Sequence, residues 1–164
     1  MSVRMNMGCV VREYREVDAA GLRECVVALQ EFERTIDPRL RPGEAMADAY
    51  CEHIHARCRE ASGQVFVAEA NGAVVGFVTI LAREPFTDLD DPPGTYAVIT
   101  DLVVLPDHRR SGIGRQLLEC AEAFARAAEA QELRIAVLAA NGVARRLYLR
   151  AAYLPHQEIF AKRW

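Results

Sequence analysis

The stretch that decides the fold is YAVITDLVVLP (96–106) followed at once by DHRRSGIGRQLL (107–118). The first part is a long apolar run with several β-branched residues, the pattern of a strand. The second opens a helix from Gly112 to about residue 130, with the apolar stripe Ile113, Leu117, Ala121, Phe124 and Ala128. Two arginines, a serine and two glycines crowd the corner between them. Gly112 and Gly114 let the main chain pass close to a ligand, and residues 110–114 leave N–H groups unpaired where the helix begins. Together with the positive end of the helix dipole, Arg109, Arg110 and Arg115 complete an anion pocket sized for a pyrophosphate. The plain alternative is a solvated turn with arginines at a helix end.

Two familiar phosphate loops do not fit this corner. A P-loop needs a lysine after its second glycine, and the only lysine of the chain is Lys162. A dinucleotide fingerprint needs a third glycine where this chain has Leu117, and no following strand carries the acidic residue expected some twenty positions on.

Outward from the corner the elements alternate without a linker. CVVREYR (9–15) reads as a strand, and Asp18 is placed to cap a helix with the stripe Leu22, Cys25, Val26, Leu29 and Phe32. After a break at TIDPRLRPG (35–43), a second helix is expected from about Glu44 to Glu60 on the stripe Met46, Tyr50 and Ile54. GQVFVAEANGAVVGFVTIL (63–81) is a hairpin around Asn71-Gly72, the pair best suited to a type I′ turn. REPFTDLDDPPGT (83–95) reads as a loop, LRIAVLA (133–139) as a buried strand, and NGVARRLYLRAA (141–152) as a short helix capped by Asn141. YLPHQEIFAKRW (153–164) is a last extended segment. The order β-α-α-β-β-β-α-β-α-β indicates a mixed, mostly antiparallel sheet flanked by helices.

At 164 residues the chain fits one domain with a proper core, and its 51% apolar and 26% charged residues are ordinary for a globular protein. A net charge of −3 argues against holding nucleic acid by general electrostatics. The near-exclusive use of arginine over lysine reads as coding bias. No apolar run reaches the roughly 20 residues that cross a bilayer, and MSVRMNMGCVV (1–11) lacks the pattern of a cleaved leader. A cytoplasmic protein is therefore expected, with no membrane partner. The five cysteines are scattered, odd in number and without a C-x-x-C pair, which suits free thiols. In CEHIHARC (51–58), Cys51, His55 and Cys58 share a helix face that could hold a soft metal, but the face also carries Ala47 and Ile54 and lacks an evident fourth ligand. The reading is core packing and no metal.

RRSGIG (109–114) resembles the [QR]-x-x-G-x-[GA] loop of the GNAT superfamily of acetyl-CoA-dependent N-acetyltransferases. LVVLP (102–106) resembles that family's cofactor-lining strand, and AANGVARRLYLRAAY (139–153) resembles its second signature, N-x-x-A-x-x-L-Y with a following aromatic. One departure is Ala152, where the family usually has glycine. The resemblance covers nearly the whole chain and implies a single N-acetyltransferase domain over residues 1–164, with its central strands splayed apart.

It also implies roles. Leu102, Val103 and Val104 offer backbone groups to the acetyl and pantetheine portions of acetyl-CoA, in a strand bulged away from its neighbour. Arg110, Ser111, Gly112, Ile113, Gly114 and Arg115 bind the pyrophosphate through their N–H groups, and Arg109 supports the loop. Asn141 hydrogen-bonds the pantetheine arm, and Ala144 keeps its helix thin beside it. Tyr148 matches the tyrosine that protonates the departing CoA thiolate. For each there is a structural alternative: the valines as core, Asn141 as an N-cap, Tyr148 as one more stripe residue.

The transfer needs a proton acceptor for the amine, and Asp101 is the candidate nearest the acetyl end, unless water serves. Carboxylates gather where the acceptor groove is expected: Glu31, Glu33 and Asp37 near the first helix end, and Asp88, Asp90 and Asp91 in the loop before the cofactor strand. An acidic rim attracts a cationic amine. The expected activity is acetyl transfer from acetyl-CoA to a primary amine of a small cationic acceptor. The alternatives are a non-catalytic acyl-CoA sensor, a protein or peptide N-acetyltransferase, and a nucleotide-phosphate binder. Ile159, Phe160 and Trp164 in the last segment are apolar enough to support a homodimer.

Overall fold

The computed structural model describes residues 8–164. Five strands form one sheet in chain order: β1 (Cys9–Glu13), β2 (Gln64–Ala70), β3 (Ala73–Pro85), β4 (Thr95–Val104) and β5 (Leu133–Ile135). The first four pair antiparallel and β5 runs parallel to β4. At the tip of the β2–β3 hairpin, Asn71 and Gly72 have φ of 51° and 78°. Both are left-handed, as the type I′ turn predicted for this pair requires.

Helices cover both faces. On one side α1 (Ala19–Ile36) and α2 (Ala47–Glu60) bring Leu22, Cys25, Val26 and Ile54 against Val65, Val67 and Phe77. On the other, α3 (Ile113–Ala127) and α4 (Gly142–Arg150) bring Ile113, Leu117, Ala121 and Tyr148 against Phe66, Val78, Ile80 and Ile99. The split follows from strand alternation, with Val65 and Val67 of β2 facing α1 and α2 while Phe66 and Ala68 face α3. Fully buried side chains such as Phe77 and Leu117 each contribute about 1.5–3 kcal/mol relative to exposure.

One irregularity in β4 controls the site. Thr79 stands opposite Asp101 and Ile80 opposite Ile99, so Thr100 is an extra residue, a β-bulge. Before it, Ala97 and Ile99 face α3; beyond it, Val103 faces α1 and α2. Uninterrupted alternation keeps all odd residues on one face, and the extra residue reverses it.

Several sequence expectations need correction. Asp18 does not cap α1 with its side chain. Its carboxylate is buried and accepts two hydrogen bonds from the Arg12 guanidinium, at 2.7 and 2.8 Å, and one from the Arg15 N–H at 2.8 Å. A charged, bidentate partner outcompetes helix amides. The second helix begins only at Ala47, because Met46, at φ −129°, separates it from a 3-10 turn over Gly43–Ala45. The predicted loop over 83–95 is shorter, since β3 runs on to Pro85. The strand expected over 133–139 is three residues long and half-buried, because its partner β4 turns away after Ile99. Residues 153–164 form no strand, and Leu154, Ile159, Phe160 and Trp164 are exposed.

The start of the leader reading, residues 1–7, lies outside the described residues. Among the described residues no helix is long and apolar enough to cross a membrane.

Candidate active site

β4 and β5 pair only over Ala97–Ile99, so the parallel strands part at the bulge. From Thr100 to Val104 the β4 edge facing away from β3 has no strand opposite it among the described residues. An unpaired strand edge leaves N–H and C=O groups for another partner. This edge leads into the loop 105–112. There Arg110 and Gly112 have φ of 61° and 87°, both left-handed, and Gly112 is followed by the helical Ile113. A left-handed residue next to a right-handed one turns successive N–H groups to one side, a concavity that binds anions. Gly112 has open space around it, so backbone conformation and not crowding calls for glycine there. The first N–H bond of the helix outside its own span runs from Gln116 to the Gly112 carbonyl at 3.1 Å. The amides ahead of it are first-turn donors that a helix cannot satisfy internally.

Arg109 braces this loop. Its Nε donates to the Val104 carbonyl at 2.9 Å, and its guanidinium lies 5.4 Å from the Phe32 ring centroid on α1. The Ser111 hydroxyl donates to the His108 carbonyl. Arg115 turns its side chain along α3 to Glu119, 2.7 Å away, which leaves its N–H as its contribution to the corner.

Across the cleft, the Asn141 side chain accepts the Ala144 N–H at 3.1 Å and caps α4. Ala144 is half-buried against the α3-side core. Tyr148 is 8% exposed, and burial, helped by the negative charge of Glu33, pushes its hydroxyl up to about 12. It is therefore a neutral phenol at physiological pH. A Schellman turn holds it. Tyr153 N–H bonds the Tyr148 carbonyl at 3.0 Å, Ala152 N–H bonds the Leu149 carbonyl at 3.2 Å, and the two tyrosine rings lie 6.0 Å apart. Ala152 sits in this turn at φ 66°, the left-handed position that favours glycine.

On the other side of the bulge lies a partly open cavity of about 120 Å³, lined by Val26, Leu29, Gln30, Glu33, Met46, Tyr50, Thr100 and Asp101. Asp101 is 4% exposed. The Tyr50 hydroxyl donates to its Oδ1 at 2.7 Å and the Thr100 hydroxyl to its Oδ2 at 2.7 Å. Burial raises the Asp101 carboxyl above the usual carboxylate range, against the lowering effect of these hydrogen bonds. Glu33 is half-buried, and burial followed by the charge of Asp101 raises it too.

The family model "Acetyltransferase (GNAT) family" matches residues 26–153, which include the loop, both tyrosines and the cavity. The chain belongs to the GNAT acetyltransferase family. No curated protein sequence matches significantly. Solved structures agree in fold. The tetramutant of the BH1408 protein from Bacillus halodurans has a TM-score of 0.81 at 17% identity, covering 94% of this chain and 99% of that one. A GCN5-related N-acetyltransferase from Ralstonia eutropha JMP134 has a TM-score of 0.72 at 21% identity, covering 94% and 98%. AAC(6')-Iy, solved with the bisubstrate analogue CoA-S-monomethyl-acetylneamine, has a TM-score of 0.68 at 17% identity, covering 95% and 97%.

As a GNAT acetyltransferase the protein uses acetyl-CoA as cosubstrate, and its own geometry fits that molecule. The first-turn amides of α3 suit an anion at one end of the cleft, and the free β4 edge runs from there to the bulge. Gly114 keeps the junction of three elements thin: a Cβ there meets Leu147 at 3.6 Å and Val104 at 3.8 Å. No group of three His, Cys, Asp or Glu side chains among the described residues is arranged to hold a metal. In CEHIHARC the His55 ring stacks on Tyr14 at 4.7 Å, and Cys51 and Cys58 pack on the core, the Cys58 thiol pushed up to about 11 by burial.

The structure brings to the candidate site residues that the sequence offered only as packing. Tyr50 reads as a stripe position, Phe32 likewise, and Thr100 as one more β-branched strand residue. No local pattern marks any of them: Tyr50 and Phe32 act through contacts across more than 50 residues of chain, and Thr100 through a bulge set by pairing with β3. The expected acidic rim divides. Glu31 takes the Gly43 N–H at 2.6 Å and Arg34 at 2.9 Å, and Asp37 takes Arg39 and Arg163. Asp91 caps the Thr87 and Asp88 amides of its own loop, at the Thr95 end of β4. Asp88 and Asp90 are exposed in that loop, and only Glu33 of the six lines the cavity.

Proposed function

We propose that this GNAT acetyltransferase moves the acetyl group of acetyl-CoA onto a primary amine of a small, cationic acceptor. The observation that carries the reading is the Thr100 bulge, which frees the β4 edge on one side and turns Asp101 into the cavity on the other. A cosubstrate cleft and an acceptor cavity thus meet at one point of the sheet.

When bound, acetyl-CoA supplies an acyl carbon activated as a thioester. The chain does the rest. The N–H groups of Arg110 to Arg115 hold the pyrophosphate, with Arg109 bracing the loop against Val104 and Phe32. Leu102, Val103 and Val104 present backbone groups along the cleft, and Asn141 and Ala144 shape its far wall. Asp101, raised by burial and held at both oxygens, takes a proton from the incoming ammonium, and the free amine then attacks the thioester carbonyl. Tyr148, a neutral phenol in a dry setting, holds a proton for the departing sulfur.

The test is CoA release from acetyl-CoA with a panel of alkylamines, polyamines, aminoglycosides and a lysine-bearing peptide. Turnover with small cationic amines supports the reading. Tight CoA binding with no turnover on any amine supports the acyl-CoA sensor instead.

A further inference from the structure

Among the described residues, many carboxylates on and around α1, α2 and the sheet are held by arginines or backbone amides, whereas Asp88 and Asp90 are exposed in their loop. Asp18 and Glu69 hold Arg12; Glu44 and Asp48 hold Arg23; Glu84 holds Arg57; Glu31 and Asp37 have the partners given above. Asp101 has a hydroxyl donor on each oxygen. Glu33 has no basic side chain within ion-pair reach and no hydrogen-bond donor on its carboxylate among the described residues. It is nevertheless half-buried and lines the cavity.

A carboxylate in that position is electrostatically unfavourable unless something cationic arrives. Two carboxylates line one cavity, and burial followed by the charge of Asp101 disfavours ionisation of Glu33. The position is also well held, since Glu33 lies in the last turn of α1, where its carbonyl accepts the Asp37 N–H at 2.8 Å. Its neighbour Phe32 carries the Arg109 guanidinium, which fixes this helix end to the pyrophosphate loop. The charge of Glu33 is felt at both Tyr50 and Tyr148.

Resting on the proposed acetyl transfer to an amine, we infer that Glu33 is the acceptor-recognition residue. Its carboxylate binds the ammonium of a short, unbranched alkylamine arm entering the cavity closed by Tyr50, Thr100 and Asp101. Size favours a slender arm: a cavity of about 120 Å³ is smaller than the roughly 150 Å³ space that accepts a benzene ring, and a few methylenes fill it. The apolar wall of Val26, Leu29 and Met46 suits methylenes, and Glu33 and Asp101 suit the charged end.

Two probes of one shape separate charge from fit. n-Butylamine is cationic at neutral pH, and O-propylhydroxylamine is its uncharged isostere. Calorimetric binding to the CoA-saturated protein at low salt is expected to favour n-butylamine by roughly 10- to 100-fold, the range for a hydrogen bond to a charged group. Glu33→Gln, which preserves shape, is expected to remove that preference, weakening n-butylamine and leaving O-propylhydroxylamine and CoA affinity unchanged. Its melting temperature should not fall, because the substitution removes a like-charge contact with Asp101. Glu33→Asp, charged but one methylene shorter, should retain part of the preference.

Equal binding of the two probes to the wild type, no binding of n-butylamine at millimolar concentration, or an unchanged preference in Glu33→Gln overturns the assignment. CoA binding in the same titrations reads the underlying site separately. It persists if only Glu33 is misassigned, and disappears if the cleft itself is misread.

Discussion

Tyr50 and Asp101, 51 residues apart in the chain, are joined by a 2.7 Å hydrogen bond from phenol to carboxylate. The bond crosses from α2 to the point where β4 bulges, and it closes one wall of the acceptor cavity. Burial raises the Tyr50 hydroxyl as well, so it stays protonated and can only donate to the carboxylate as long as Asp101 is ionised.

Tyr50→Phe should therefore disturb Asp101 without emptying the core. The hydrogen bond lowers the Asp101 pKa, so its loss moves the acidic limb of the kcat/KM profile to higher pH. A lost hydrogen bond to a charged group is worth about 1.5–3 kcal/mol, so on the acidic side of the profile kcat/KM for the amine should fall by up to roughly 10- to 100-fold. KM for acetyl-CoA should hold. A pH–rate profile of the variant checks both, and an unmoved acidic limb rules out Asp101 as the group reported.

The raised Asp101 pKa also predicts a stability effect. Relative to the unfolded value of about 3.9, a raised native pKa adds stability that is complete below that value and lost as pH rises through the native one. Asp101→Asn keeps the shape and cannot ionise. The melting temperature of the wild type minus that of Asp101→Asn should therefore decline as pH is raised from about 4 to about 7. Carboxylates with lowered pKa, Asp18 and Asp37 among them, are common to both proteins and cancel in the difference.

Tyr148→Phe separates chemistry from packing. The ring fills the same space, so fold and acetyl-CoA affinity should be kept, while kcat falls by roughly 10- to 100-fold, the lower part of the range for a positioned general acid. The lower part is expected because a thiol of pKa about 8.5 leaves tolerably as thiolate. Wild-type kcat with an unchanged melting temperature assigns Tyr148 to the core alone.

Ala152 pays a backbone penalty at φ 66° that glycine avoids. Left-handed backbone costs a non-glycine residue about 1–2 kcal/mol, and glycine gives back about 0.5–1 kcal/mol through unfolded-state entropy. Ala152→Gly should raise stability by up to about 1 kcal/mol, read from the denaturant midpoint at constant slope. Activity should not fall, since the Schellman bonds that hold Tyr148 are backbone bonds.

The sequence by itself determined most of the helices and strands, the sheet-forming hairpin at Asn71-Gly72, the left-handed corner at Gly112 and the short helix that carries Tyr148. Those depend on periodicity, turn chemistry and helix-end geometry, all written within a few neighbouring residues. It also placed a departure at Ala152, where the turn is indeed left-handed. Only the tertiary structure decided which carboxylates face the acceptor. Strand alternation alone sends Asp101 to the face of Ala97 and Ile99, and the extra residue Thr100 sends it to the other. Which acidic side chains remain unengaged depends on partners brought from elsewhere in the chain, as the Gly43 amide is to Glu31 and Arg163 is to Asp37. The same packing shortened β5, because a strand persists only while its neighbour stays within hydrogen-bond reach and β4 departs at the bulge.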